Sequence, residues 1–257
     1  MKITFLGTGT SQGVPIIGSD HPVCLSDDPR DKRLRCSAMV EWDGANYVID
    51  CGPDFRMQMI QNKIQKIDAL FFTHEHTDHI IGLDDIRPFF YKQQCDIPIY
   101  AEPNVMEALE RRFHYILDTS HNYPGKPRVA AHLISPDTPI TINHHEIVPI
   151  RVMHSQLPIV GYKFHKLIYL TDVKTVPDAS LHYFQDVEIL VVNALREQEH
   201  HGHFTLQEAL AFIEKVQPKK AYLTHVSHLL GFHEEVSKAL PDNVFLAHDG
   251  LTLEIPS

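Results

Sequence analysis

The chain has 257 residues, of which 43% are hydrophobic and 22% charged, and its formal net charge is −10 with the 19 histidines counted as neutral. This composition is typical of a soluble globular enzyme, and the length predicts a single domain over residues 1–257. The acidic balance argues against a general nucleic-acid binder, although residues 30–35 form one basic patch. No apolar run approaches the length that spans a membrane.

The cysteines and the first residues both favour the cytoplasm. The four cysteines, Cys24, Cys36, Cys51 and Cys95, show no paired spacing, so a disulfide framework is not expected. Apart from Cys24, we expect them to be small buried hydrophobic residues. Residues 1–7 read as a strand and lack the apolar core of a signal peptide, so we expect a cytoplasmic protein.

Apolar runs of β type recur along the chain and mix with helical patterns further on. The runs predict strands at residues 3–6, 38–42, 47–49, 69–72, 147–153, 167–170, 187–192, 221–223 and 244–246. This order predicts an α+β fold in which two sheets pack together and helices cover them, a four-layer sandwich.

Three segments show helical periodicity. Pro103 opens a helix with one apolar face, and Thr205 with Glu208 forms a capping box at the start of another. His228–Leu240 predicts a third helix. The apolar face of the first helix contains Met106, Leu109, Phe113 and Ile116. We expect residues 117–139 to be a surface loop near a substrate.

The run Thr73–His79 predicts a metal site. It contains three imidazoles and two carboxylates, and it directly follows the apolar residues 69–72. Neutral imidazole and carboxylate are the ligands that zinc prefers, and manganese or iron can share them. Buried polar groups at the end of a strand need partners, which a metal ion supplies.

Four apolar strands place a metal-type side chain just past their last apolar residue. These side chains are His74, His154, Asp172 and His225. A lone histidine in such a position is more often a hydrogen-bonded structural residue. Four together indicate that the strand ends meet and that their side chains share one site.

These residues resemble, in order and spacing, the ligand set of the metallo-β-lactamase superfamily over roughly the whole chain. The matching positions are His74, His76, Asp78, His79, His154, Asp172 and His225. The resemblance implies an αββα sandwich with two divalent ions, zinc or manganese, at one edge. In the family pattern His74, His76 and His154 hold the first ion, Asp78, His79 and His225 hold the second, and Asp172 bridges both.

Three flanking motifs resemble the phosphoribosyl cyclic phosphodiesterases of this superfamily. They are GTGTSQGVP at residues 7–15, DCGPDFR at 50–56 and HGHFT at 201–205. The implied reaction is hydrolysis of a small phosphodiester, above all a cyclic ribosyl or nucleotide phosphate. Two adjacent ions would generate a bridging hydroxide as nucleophile. Asp78 would orient that hydroxide or accept its proton, and His203 would assist the leaving group as a general acid.

Other functions share the same ligands. A tRNA 3′-processing endonuclease has a similar ligand set, but the basic flexible arm that grips tRNA is not evident here, so nucleic acid is not the expected substrate. A lactone hydrolase would share the metals without the flanking motifs. A metal-loaded binding module without turnover is the alternative from a different class, and the complete ligand set argues against it.

A second cluster resembles the structural zinc site of the same enzymes. They carry a C-x-C-x-x-C motif where this chain has Ser19, His21 and Cys24. His21, Cys24 and His228 could hold a third ion, a structural zinc, with Asp20 or water as fourth ligand. The resemblance also implies a homodimer.

Two residues near the expected site allow more than one role. Asn193 follows a strand and is either a group beside the metals or a buried structural amide. The helix that begins near Thr205 could direct backbone N–H groups at a substrate anion.

Overall fold

The computed structural model describes residues 1–118, 120 and 124–255, and its strands form two mixed sheets of seven strands each. The first sheet has the order β14 (Thr252–Glu254), β1 (Lys2–Gly7), β2 (Ser37–Trp42), β3 (Ala45–Ile49), β4 (Ala69–Phe71), β5 (Ile97–Ala101) and β6 (Val129–Leu133). The second has the order β13 (Val244–Leu246), β12 (Lys220–Thr224), β11 (Ile189–Asn193), β10 (Leu167–Tyr169), β9 (Leu157–Phe164), β8 (His145–His154) and β7 (Ile140–Ile142). Strands β3–β6 of the first sheet are parallel to one another, and so are strands β10–β13 of the second. Each of these parallel sets contains strands that lead to the predicted site.

Helices cover the outer face of each sheet. They are α2 (Phe55–Gln61), α3 (Thr77–Ile80), α4 (Arg87–Gln93), α5 (Pro103–Arg112), α6 (His114–Leu117), α7 (Leu206–Val216) and α8 (His233–Ala239), whereas the short α1 (Pro22–Leu25) lies in a separate small apolar cluster with Val14. One apolar cluster lies between the sheets, a second joins α2–α6 to the first sheet, and a third joins α7 and α8 to the second sheet. This arrangement confirms the predicted αββα sandwich. No helix in the described part of the chain is long and apolar enough to cross a membrane.

Strands with both faces buried explain why the apolar runs were continuous. In β3, Tyr47 and Ile49 point into the cluster between the sheets, whereas Val48 packs against the helices. Such two-sided burial is typical of sheets covered by helices. All nine predicted strands are present, but the sequence did not predict β5, β6, β7, β9 and β14. In β9, Gly161 interrupts the pattern because a Cβ there would lie 2.3 Å from Leu170.

Two predicted helices are divided in the structure. The segment His228–Leu240 consists of a 3-10 turn at His228–Leu230 and helix α8, separated at Gly231, whose φ of 119° is outside the helical region. The helix opened by Pro103 ends at Arg112, and Phe113 joins it to α6. The predicted apolar face of that segment is nevertheless buried.

Three further predictions need correction. Residues 117–139 are not all loop, since β6 lies within them; residues 119 and 121–123 lie outside the described part. Cys95 is exposed, whereas Cys36 and Cys51 are buried as expected, and the four cysteines are free. The basic patch is not a surface patch throughout, because Arg33 is buried and Arg35 pairs with Asp54 at 3.1 Å.

His233 makes the stability of the fold pH-dependent. Its Nδ1 lies 3.2 Å from Nη2 of Arg33, which can only donate, so Nδ1 must be unprotonated. Burial, and then the charge of Arg33, lower the pKa of His233 to about 4 from 6.5. The neutral ring therefore stabilises the fold above pH 6.5, and this contribution is lost as the pH falls towards 4.

We expect the free energy of unfolding of the wild type to fall by about 2 kcal/mol more than that of His233→Gln between pH 7 and pH 4. Glutamine can still accept from Arg33 but does not titrate. Urea unfolding of both proteins across this range measures the difference. Parallel pH profiles would contradict the assignment.

Candidate metal centre

The structure brings the seven predicted ligands together at one edge of the sandwich. Strands β4, β8, β10 and β12 end at or just before His74, His154, Asp172 and His225. The imidazole centroids of His74 and His79 are 4.2 Å apart, those of His74 and His76 4.5 Å, and those of His76 and His154 5.2 Å. That these residues bind metal stays a prediction, but their convergence is a feature of the fold.

Hydrogen bonds fix the tautomers of His74 and His79. Thr73 Oγ1 donates its proton to Asp50 Oδ2 at 2.8 Å, so the same oxygen accepts from His74 Nδ1 at 2.9 Å. His79 Nδ1 donates to Asp50 Oδ2 at 2.7 Å. Both rings therefore hold a proton on Nδ1 and turn Nε2 towards the site.

Nδ1 of His154 and Nδ1 of His225 are also hydrogen-bonded. His154 Nδ1 donates to the carbonyl oxygen of Gly202 at 2.6 Å. Thr171 Oγ1 donates to Asp172 Oδ2 at 2.7 Å, and His225 Nδ1 lies 3.1 Å from that carboxylate oxygen and 3.3 Å from Thr171 Oγ1, so it donates to this pair. Four histidines thus bind an outer acceptor through Nδ1 and turn Nε2 towards the site, where a metal ion would bind it in the unprotonated form.

Buried ring atoms without hydrogen-bond partners show that the site fits a metal. Nε2 of His79 and Nε2 of His225 are buried and have no hydrogen-bond partner. The His79 atom lies 3.1 Å from Asp78 Oδ2 and 3.3 Å from Asp172 Oδ2 without bonding geometry to either. Because unpaired buried nitrogen atoms cost free energy, a cation among these atoms is the natural partner.

The donor atoms form two overlapping groups. Within the part of the chain that the structure describes, ligand atoms of His74, His79 and Asp172 lie within 4.8 Å of one another, and so do those of His154, Asp172 and His203. Asp172 belongs to both groups, which agrees with its predicted bridging position. The groups do not follow the predicted division into first and second ion, and that division stays a prediction.

The electrostatics of the site favour a bound cation. Burial lowers the pKa of His79, but the carboxylates of Asp172 and Asp78 outweigh it and hold that pKa well above its usual value. Burial raises the pKa of Asp172, and the histidines His225 and His79 bring it well below its usual value. Without metal, a proton on His79 therefore neutralises the carboxylates, and metal binding would release it.

Three site residues have left-handed backbone conformations. The φ angles are 62° at Asp50, 59° at Asp172 and 53° at His225, each directly or shortly after a strand. Non-glycine residues adopt this region at a cost, and such residues concentrate at functional sites.

His203 lies among the predicted ligands. Its ring is 4.6 Å from that of His154 and 4.8 Å from that of His225, and its Nδ1 is 3.6 Å from Asp172 Oδ1. Nδ1 is also buried without a hydrogen-bond partner. Burial, and then His225, lower its pKa to about 2, so the ring is neutral near pH 7. It can therefore act as a neutral N–H donor, or as a further ligand.

The sequence did not reveal what holds the ligands. Asp50 is fully buried, and its carboxylate accepts hydrogen bonds from Thr73 N, Thr73 Oγ1 and His79 Nδ1. Asp50 directly follows β3, the neighbour of β4. The pattern of metal-type side chains just past the ends of apolar strands could therefore have identified it. The carbonyl of Gly202 had no sequence signal; a Cβ at Gly202 would lie 2.7 Å from Cε1 of His154.

The structure decides the two open roles near the site. Asn193 is a structural amide, because it donates to Val173 O at 3.0 Å and accepts from Val173 N at 2.6 Å. At the start of α7, Thr205 N binds Glu208 and Glu208 N binds Thr205 Oγ1. Leu206 N donates to Arg196 O. These three backbone N–H groups are thus not free for a substrate anion.

The second cluster is assembled only in part. The rings of His21 and His228 meet edge to face with centroids 4.8 Å apart, and Cys24 is buried. Nδ1 of His228 is buried without a partner, but Nδ1 of His21 accepts from Val23 N at 3.3 Å. In the described chain, the donor atoms of these three residues do not form a group within 4.8 Å. Zinc at this position stays a prediction.

Comparisons with known proteins identify the family. A model described as the β-lactamase superfamily domain matches residues 45–226. A crystal structure of a new diphosphatase from the PhnP family is 41% identical, with a TM-score of 0.92 over 99% of this chain and 98% of that chain. An octanoyltransferase of Porphyromonas gingivalis is 37% identical over 253 residues, covering 98% of this chain and 51% of that protein.

A ribonuclease Z of Methanococcus maripaludis is 29% identical over 174 residues, which cover 65% of this chain and 49% of that protein. The chain thus spans about half the length of these curated relatives. The family model covers most of the chain, and the diphosphatase matches it nearly end to end. The chain therefore belongs to the metallo-β-lactamase superfamily, in its PhnP-like branch.

Proposed function

We propose that this protein is a binuclear metal-dependent hydrolase that cleaves a small phosphodiester, most of all a cyclic ribosyl or nucleotide phosphate. The observation that carries the proposal is the set of four histidines whose Nδ1 protons are engaged by Asp50, Thr73, Gly202 and the Thr171–Asp172 pair. Such outer contacts are the usual support of metal-binding imidazoles. Zinc and manganese both suit this donor set.

The protein's own groups suggest how the reaction would be assisted. The seven predicted ligands would hold two ions, which would supply Lewis acidity and an activated water. Asp78, partly buried beside His79, would orient the attacking water. His203 would direct an N–H group at the leaving oxygen and hold it in the transition state.

The net charge and the similarity to known enzymes support the proposed substrate class. A formal charge of −10 opposes tight binding of a polyanion such as tRNA, which supports a small substrate. The 41% identity to a PhnP-family diphosphatase makes a diphosphate linkage the second candidate. The free cysteines support a reducing compartment such as the cytoplasm. A homodimer remains part of the proposal from the family resemblance.

The test combines metal analysis with a substrate panel. We expect the purified protein to contain two zinc or manganese ions per chain, or three if His21, Cys24 and His228 hold a structural zinc. The loaded protein should hydrolyse ribosyl or nucleotide cyclic phosphates faster than nucleoside diphosphates, a tRNA precursor or a lactone. Preferred turnover of diphosphates would support the second candidate. Turnover of the tRNA precursor alone would contradict the small-substrate proposal.

A further inference from the structure

Asp249 joins three distant parts of the chain behind the candidate metal centre. This partly buried carboxylate, in the turn between β13 and β14, accepts from Thr8 N at 2.9 Å, Thr8 Oγ1 at 2.7 Å and Leu34 N at 2.6 Å. Thr8 Oγ1 in turn accepts from Nη1 of the buried Arg33 at 2.7 Å. The same Nη1 donates to Ala247 O at 2.7 Å, which closes a ring of contacts around Thr8.

The backbone of the same loop is bonded to the residue that follows His225. Val226 N donates to Thr8 O at 2.9 Å, and Thr10 N donates to Val226 O at 3.0 Å. Thr8 itself is fully buried. The segment after His225 is therefore held on both sides by a loop whose own position depends on Asp249.

His225 needs this support because its conformation is not favoured locally. Its φ is 53°, and its Nε2 is buried without a hydrogen-bond partner. A histidine at positive φ persists only where the surrounding structure enforces it. The two hydrogen bonds between Val226 and the loop hold the backbone conformation at His225, whereas Asp172 and Thr171 orient its ring.

We propose that Asp249 is a positioning residue for His225, acting through Thr8 and Val226, and that the ion held by His225 depends on it. The proposal rests on the metal centre proposed above. A carboxylate is required because all three of its partners are donors, whereas an asparagine amide would turn an N–H group at one of them. That donor would lose its acceptor and the loop would shift.

The test measures stepwise binding of cobalt to the metal-free protein by calorimetry and by visible absorption. We expect Asp249→Asn and Thr8→Val to lower the affinity for one of the two ions about 10- to 100-fold. The affinity for the other ion should be nearly unchanged. Thr8→Ser retains the hydroxyl and should bind both ions with affinities close to those of the wild type. Thr252→Val is the matched control, because it removes a hydroxyl contact of 3.0 Å to Thr4 on the neighbouring strand pair β1–β14.

The outcomes separate this inference from the proposed function. Wild-type protein that binds fewer than two ions would overturn both. If the wild type binds two ions and the folded Asp249→Asn variant binds them equally well, only the inference fails. It also fails if both affinities fall together in proportion to the melting temperature, because that result indicates a general loss of stability. If Asp249→Asn does not fold, the comparison of Thr8→Val with Thr8→Ser decides.

Discussion

Replacing Asp172 with asparagine should remove at least one of the two expected ions and lower kcat/KM by about 10³-fold or more. Asp172 is common to both groups of ligand atoms, and it lies 3.1–3.3 Å from ring nitrogens of His79 and His225. Its amide would offer one oxygen and no charge at a position where the family pattern expects an anionic ligand shared by two ions. Charge stabilisation of this kind supplies a large part of the rate of metal hydrolases.

Mass spectrometry of the native protein would measure the ion count, and bis-p-nitrophenyl phosphate would measure the rate. Asp178→Asn is a suitable control, since Asp178 is an exposed aspartate whose nearest charged partner is Lys215 at 3.6 Å. An Asp172→Asn variant that retains two ions and wild-type activity would remove Asp172 from the centre.

Replacing His203 with alanine should lower the rate about 10²- to 10⁴-fold for a substrate with a poor leaving group and leave the ion count at two. The loss should be much smaller with p-nitrophenolate, which leaves without help. The reason is that the neutral His203 ring lies between His154 and His225, where an N–H group could reach a leaving oxygen.

The experiment compares the kcat of wild type and His203→Ala for an alkyl ester and for a p-nitrophenyl ester, with the ion count measured on the same samples. His201→Ala serves as the control, because His201 is exposed and its ring stacks on His200 rather than on a ligand. Loss of an ion from His203→Ala would show that His203 is a ligand. An equal loss with both esters would remove it from the leaving-group step.

Local chemistry explains what could be predicted. His74, Asp172 and His225 each follow an apolar run after a single threonine, so the order of residues alone indicates that strands end in metal-type side chains. The capping box of Thr205 and Glu208 is likewise a contact between residues three apart, and the structure shows it as predicted. The family pattern then supplied the αββα order, which the two packed sheets confirm.

Contacts between distant residues account for what could not be predicted. Asp50 reaches His79 across 29 positions and Asp249 reaches Thr8 across 241, and neither pairing leaves a periodic mark in the sequence. Strand β9 was missed because Gly161 serves close packing on Leu170 rather than strand propensity. The predicted helix from His228 failed at Gly231, where the chain turns towards α8.

The sequence by itself determined the metal-type residues and their order along the strands, because strand ends and ligand types are local properties. Only the tertiary structure decided which nitrogen faces the site in the imidazoles of His74, His79, His154 and His225. That choice depends on acceptors such as the carbonyl of Gly202, 48 residues from His154, and the carboxylate of Asp50. These acceptors become neighbours of the histidines only when the two sheets pack together.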